Sequence, residues 1–147
     1  MKLARTIRFD PSDLNVFPIA AEEGEWAVVG TFCFAAMPPS DLTGKVKQAF
    51  SNGFLGCQSF GFSTLVSVVR ARPKDIQTIT DHLANHFVEK FGAPSKAAAS
   101  NAISDEIEFM AELCEEHKTG TLLAIQRNWD EDGLSLIHIS EPTRLRS

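Results

Sequence analysis

Residues 61–117 read GFSTLVSVVRARPKDIQTITDHLANHFVEKFGAPSKAAASNAISDEIEFMAELCEEH, one strand pattern followed by two successive helix patterns. Thr64, Val66, Val68 and Val69, with Leu65, put apolar or β-branched side chains on both faces of Gly61–Ala71, which predicts a central strand. Pro73 suits the first turn of a helix, and Asp75 lies near its positive end. Ile76, Ile79, Leu83, Phe87 and Phe91 recur at three- and four-residue spacing and define the buried stripe of that helix. Gly92-Ala93-Pro94 breaks the chain. From about Ser95 to His117 a second long helix is predicted, burying Ala99, Ile103, Ile107, Met110 and Cys114 and closed by Lys118-Thr119-Gly120.

Upstream, Leu3, Ile7 and Phe9 alternate with polar or small residues as in a half-buried strand, although Arg5 interrupts the apolar face. Asp10-Pro11-Ser12-Asp13 predicts a turn. Trp26–Ala36 reads as a second strand whose core face is Trp26, Val28, Phe32 and Phe34. Ser40 can cap a helix carrying Leu42, Val46 and Phe50, which Gly53 ends. Phe54–Phe60 reads as a glycine-punctuated loop, and Thr121–Trp129 as the last strand. The order is β-β-α-β-α-α-β. Strands so unevenly separated by helices predict an α+β domain, with a mostly antiparallel sheet of about four strands covered on one face by two long helices.

The chain has 147 residues, is 44% hydrophobic, and carries a formal charge of −5, the size of one domain. Its acidity opposes a phosphate backbone, so no nucleic-acid partner is expected. It contains no apolar run of the length a membrane span requires. The N-terminal residues mix charges with apolar groups and do not read as a secretory signal. Cys33, Cys57 and Cys114 are widely spaced and odd in number, which suits free thiols and a cytoplasmic location.

Candidate chemistry is sparse. His82 and His86, with Cys114 and His117, share the spacing of ligands on helix faces, and imidazole and thiolate suit zinc. The ordinary alternative is two surface histidines, a core cysteine and a helix-terminal histidine; no metal or other cofactor is expected. Gly53-Phe54-Leu55-Gly56-Cys57 runs from helix to strand, the reverse of a P-loop or dinucleotide fingerprint. Gly61-Phe62-Ser63 lacks the second glycine of a nucleophile elbow. The acidic stretches Glu22-Glu23 and Asp130-Glu131-Asp132 lack the ligand spacing of a calcium loop. Arg5, Arg8, Arg70, Arg72 and Arg127 lie in or beside strands, where pairing with surface carboxylates is the default.

The motifs Arg5-Thr6-Ile7-Arg8, Asp10-Pro11-Ser12-Asp13, Gly24-Glu25-Trp26-Ala27-Val28, Leu42-Thr43-Gly44-Lys45, Gly53-Phe54-Leu55-Gly56 and Ser63-Thr64-Leu65-Val66 carry a resemblance over Met1 to Gly133. The chain resembles an uncharacterised family of small proteobacterial proteins, a domain of unknown function. That resemblance implies an accessory role near molybdenum-dependent oxidoreductases, and transfers no catalytic motif. Leu134-Ser135-Leu136-Ile137-His138-Ile139-Ser140-Glu141-Pro142-Thr143-Arg144 looks like the translation of a transposon-end adapter used in sequencing libraries. The domain is accordingly expected to cover residues 1–133, truncated there, with 134–147 a non-native tail.

The functional expectation is a non-enzymatic cytoplasmic accessory or assembly protein, linked to maturation of a bacterial redox enzyme, that binds a protein partner. Its contact would be made through Phe54, Leu55, Cys57 and Phe60, with apolar side chains displayed between glycine turns. The alternative is a small-molecule-binding protein or enzyme whose pocket, between sheet and helices, uses Arg70, Cys57 and His86. A homo-oligomer is left open.

Overall fold

A computed structural model describes residues 1–8, 11–34, 37, 39–130 and 133–141. Its strands are β1 (Lys2–Ile7), β2 (Trp26–Val28), β3 (Phe54–Gly56), β4 (Phe62–Ser63), β5 (Leu65–Arg70), β6 (Leu122–Asp130) and β7 (Gly133–Glu141). The helices are α1 (Ser12–Val16), α2 (Gly44–Asn52), α3 (Pro73–Lys90) and α4 (Ser100–Glu115). All strands join one antiparallel sheet in the order β4-β3-β2-β1-β5-β6-β7. The class is therefore α+β with an antiparallel sheet, but of seven strands among the described residues rather than about four.

The local patterns that held are those with long periodicity. Pro73 opens α3, and the Asp75 carboxylate accepts a hydrogen bond from the Arg72 backbone N–H at 2.9 Å, capping it. Ile79 and Leu83 of α3, and Ile103, Ile107, Met110 and Cys114 of α4, are buried. β5 lies between β1 and β6 with Val66 and Val68 fully buried, as expected of a central strand. β1 is also central: Ala4 and Thr6, which alternate with the apolar Leu3 and Ile7 and so fall on the face expected to be polar, are buried along with Leu3.

Two expectations fail around Gly30. The long strand Trp26–Ala36 is cut to three residues, because Gly30 turns with φ +81° and a 3-10 turn follows at Thr31–Phe34. A side chain at position 30 would stand 2.6 Å from Leu55 Cβ, so the sharp turn and the close approach both require glycine. Phe32 then leaves the sheet to stack on Phe87, ring centroids 4.7 Å apart. Phe34 joins a smaller core with Phe17, Ala49 and Phe50. The second failure is Phe54–Phe60. Its first three residues form β3, paired to β2 and β4, instead of a loop.

β6 pairs with β5 only at Leu122 and Leu123, then runs on against α2 while pairing along its full length with β7. Residues 134–141, set apart above by their likeness to adapter sequence, are thus one arm of this hairpin. Residues 142–147 lie outside the described part. Among the described residues no helix is long and apolar enough to cross a membrane.

Candidate functional site

The predicted recognition segment is packed away. Phe54, Leu55 and Cys57 are each no more than 1% exposed and belong to the main core. Phe60 alone of the four is partly exposed, and its ring lies flat on His86 with centroids 3.8 Å apart. The segment is held by Glu25, itself only 6% exposed. Its carboxylate accepts hydrogen bonds from the backbone N–H groups of Gln58 and Ser59, each at 2.9 Å, from that of Glu22 at 2.7 Å, and from Ser59 Oγ at 2.7 Å. An internal anion thereby satisfies the donors of a tight turn, a structural role for the loop. The expectation that Phe54 and Leu55 are displayed for a partner is corrected.

The alternative trio is dispersed. Arg70 is exposed at the end of β5, opposite Lys2 of β1. Cys57 is buried, and His86 is occupied by Phe60. His82 borders a cleft of about 240 Å³ with Arg5, Trp26 and Cys57; the Arg5 guanidinium lies over the indole at 4.3 Å. Cys114 is buried on α4, and the His117 backbone N–H donates to the Cys114 carbonyl. Among the described residues no three His, Cys, Asp or Glu side chains are grouped to hold a metal ion.

Burial also quiets the thiols. Desolvation is the leading cause in each case, pushing Cys33 and Cys114 up to about 12 and Cys57 higher still, the last aided by the Glu25 charge. A thiol in that range forms thiolate at neutral pH about a thousandfold less than a free cysteine. In the folded protein all three cysteines are expected to resist a colorimetric disulfide reagent at pH 8 and to react on unfolding in urea. Fast stoichiometric reaction of any one in the native state would contradict this.

The arginine at 127 departs most from its expected role. It is 1% exposed, and its partners are carbonyls and a hydroxyl rather than a surface carboxylate. Nε donates to Thr31 Oγ1 at 2.9 Å, Nη1 to the carbonyls of Phe50 at 2.7 Å and Ala49 at 3.3 Å, and Nη2 to that of Val29. The guanidinium also faces the Phe34 ring, 5.4 Å from its centroid. Burial lowers its pKa to about 10, so it stays charged at neutral pH.

Glu106 of α4 is the nearby acid. Its carboxyl accepts from the Gly30 backbone, but Oε1 is buried and has no hydrogen-bond partner among the described residues. Burial raises its pKa above the usual 4.5, against the lowering effects of Gly30 and Arg127. The folded state therefore holds this proton more tightly than the unfolded chain, and stability falls as pH rises from about 4.5 through the elevated folded value. Glu106→Gln is expected to be more stable than the parent at pH 7 and to lose that part of the slope. Urea titrations across pH 4–8 check this, and equal or lower stability of the variant at pH 7 would contradict it.

What opens to solvent is the helix layer. A cleft of about 490 Å³ lies between α3 and α4. Its floor is apolar, built from Ile76 and Ala84 of α3 with Ile103 and Ile107 of α4. Thr80, Asp81, Ser104, Glu108 and Lys96 form a polar rim. None of these rim residues was singled out from sequence. A helical projection of Ser100–Glu115 puts Ser104 and Glu108 on the flank of the Ile103–Ile107 stripe, and Asp105 and Glu112 on the opposite, exposed face.

A family of unknown function, DUF6505, matches residues 1–138, so the match runs past the boundary expected at Gly133. No curated protein and no solved structure matches the chain.

Proposed function

We propose, from the premise that this chain belongs to the DUF6505 family of unknown function, a non-enzymatic accessory role in which it binds a partner protein through its helix layer. The observation that carries this reading is the cleft of about 490 Å³ between α3 and α4, apolar below and polar at its rim. Suppression of the three thiols supports binding over nucleophilic catalysis. Val88 on α3, Phe109 on α4 and Phe91 just after α3 are further exposed apolar side chains of the helix layer. The partner class to test is an assembly intermediate of a redox enzyme. The second reading, a small apolar ligand in the same cleft, is favoured by its volume.

A photo-reactive residue at position 104, on the rim, tests the protein reading in the native host. A discrete protein adduct is expected from position 104 and none from Gln58, exposed in the loop that Glu25 holds. Absence of any protein adduct from position 104 would overturn it. Native mass spectrometry that then found a small molecule retained by the purified chain would establish the second reading.

A further inference from the structure

We infer that the cleft of about 240 Å³, bordered by Arg5 of β1 and His82 of α3, is a binding site for a small monocarboxylate with an apolar tail. The cleft is bounded by Ile79 and His82 of α3, whereas the larger one takes Ile76, Thr80 and Ala84, so the two open on different flanks of that helix. Arg5 is the charged centre. Its guanidinium lies over the Trp26 ring at 4.3 Å, and Nη1 donates to the Gly24 carbonyl at 3.3 Å. Stacking fixes the plane of the fork and leaves its other N–H groups for a further acceptor. Pairing with a surface carboxylate is the default for such a residue, yet among the described residues Arg5 forms no ion pair.

Two carboxylates close to it are engaged elsewhere. Glu25, which also borders the cleft, is taken up by the donors of Glu22, Gln58 and Ser59. Asp75 accepts from the Arg72 N–H and pairs with the Arg72 guanidinium at 3.7 Å. His82 is half-buried, and its ring makes no hydrogen bond among the described residues; an imidazole carries at least one N–H in either protonation state. The two coplanar oxygens of a carboxylate match the edge of a guanidinium. Ile79 and the Trp26 indole supply an apolar wall for the rest of the ligand. The buried Glu25 charge on the same cleft disfavours a dianion such as phosphate, and the volume suits a ligand of benzoate size.

Benzoate is the probe, with benzamide as the uncharged control of the same shape and inorganic phosphate as the dianion. The readout on the full chain is the indole N–H resonance of Trp26 in proton–nitrogen spectra, told from that of Trp129 with Trp129→Phe. Benzoate is expected to shift the Trp26 signal saturably, with half-saturation at about 1–10 mM, the range for so small a ligand. Benzamide and phosphate are each expected to bind at least about fivefold more weakly. Arg5→Gln is expected to weaken benzoate at least about tenfold, Arg5→Lys less because the charge remains, and His82→Ala about threefold, each with an otherwise native spectrum. If Arg5→Gln does not fold, the His82→Ala titration decides. No saturable shift up to about 50 mM benzoate, an equal response to benzamide or phosphate, or unchanged affinity in the folded variants would overturn the inference. None of these outcomes bears on cross-linking from position 104, so the partner reading stands or falls separately.

Discussion

Arg127→Ala is expected to cost about 3–4 kcal/mol of folding stability. The substitution leaves the carbonyls of Val29 and Phe50 without their Arg127 donor in a dry interior, whereas that of Ala49 keeps the Gly53 N–H. Each orphaned buried acceptor costs about 1–3 kcal/mol, partly offset because a buried charge is no longer desolvated. The lost side chain also opens a cavity beside Phe34 in the smaller core. Arg127→Lys separates charge from geometry. An ammonium keeps the charge but cannot span acceptors on Val29, which follows β2, on α2 and on the 3-10 turn as a planar fork does, so a loss of about 2 kcal/mol or more is expected. Urea unfolding at pH 7 gives the answer from the midpoint, provided the slope is unchanged. A loss below about 1 kcal/mol for the alanine variant, or full rescue by lysine, would show that the guanidinium network does not hold α2 to β2 and β6.

Glu25→Ala is the second large effect, at about 3 kcal/mol. It removes the acceptor for three backbone N–H groups and the Ser59 hydroxyl. Glu25→Gln places an NH₂ group where one of the two acceptor oxygens stood and is expected to recover less than half of the loss. Gly56 offers an independent check, because a side chain there would overlap the Glu25 carboxylate. Gly56→Ala should therefore be costly in the parent and much cheaper once Glu25 is alanine, a coupling of at least about 1 kcal/mol in a double-mutant cycle. Additive losses would mean that the glycine is needed for another reason. The same cycle explains why Phe54–Phe60 is a poor recognition surface: the turn after β3 is spent on binding its own carboxylate.

The residues that misled the sequence reading share a physical cause. Phe54, Leu55 and Phe60 between glycines have the composition of a displayed loop, but two short strands on either side take up the backbone of β3 and bury it. Three residues are too few to show a period, so alternation cannot identify such a strand. Trp26–Ala36 erred the other way. Its pattern continues smoothly through Gly30, and only the approach of Leu55 shows why the chain must turn there. The cleft went unseen because its floor is made of stripe residues, Ile76, Ile103 and Ile107, whose spacing marks a helix face but not how closely a second helix approaches it.

By itself the sequence determined the α+β class, the central strand β5, the extents of α3 and α4 to within a few residues, and most of their buried stripes. Each follows from a repeat of two or nearly four residues, which a chain carries locally whatever it packs against. Tertiary structure alone decided that Arg127 and Glu25 are internal. A charged side chain enters a core only where acceptors or donors converge on it. For Arg127 those carbonyls stand 77 to 98 residues away in the chain, and for Glu25 the turn donors stand 33 and 34 away.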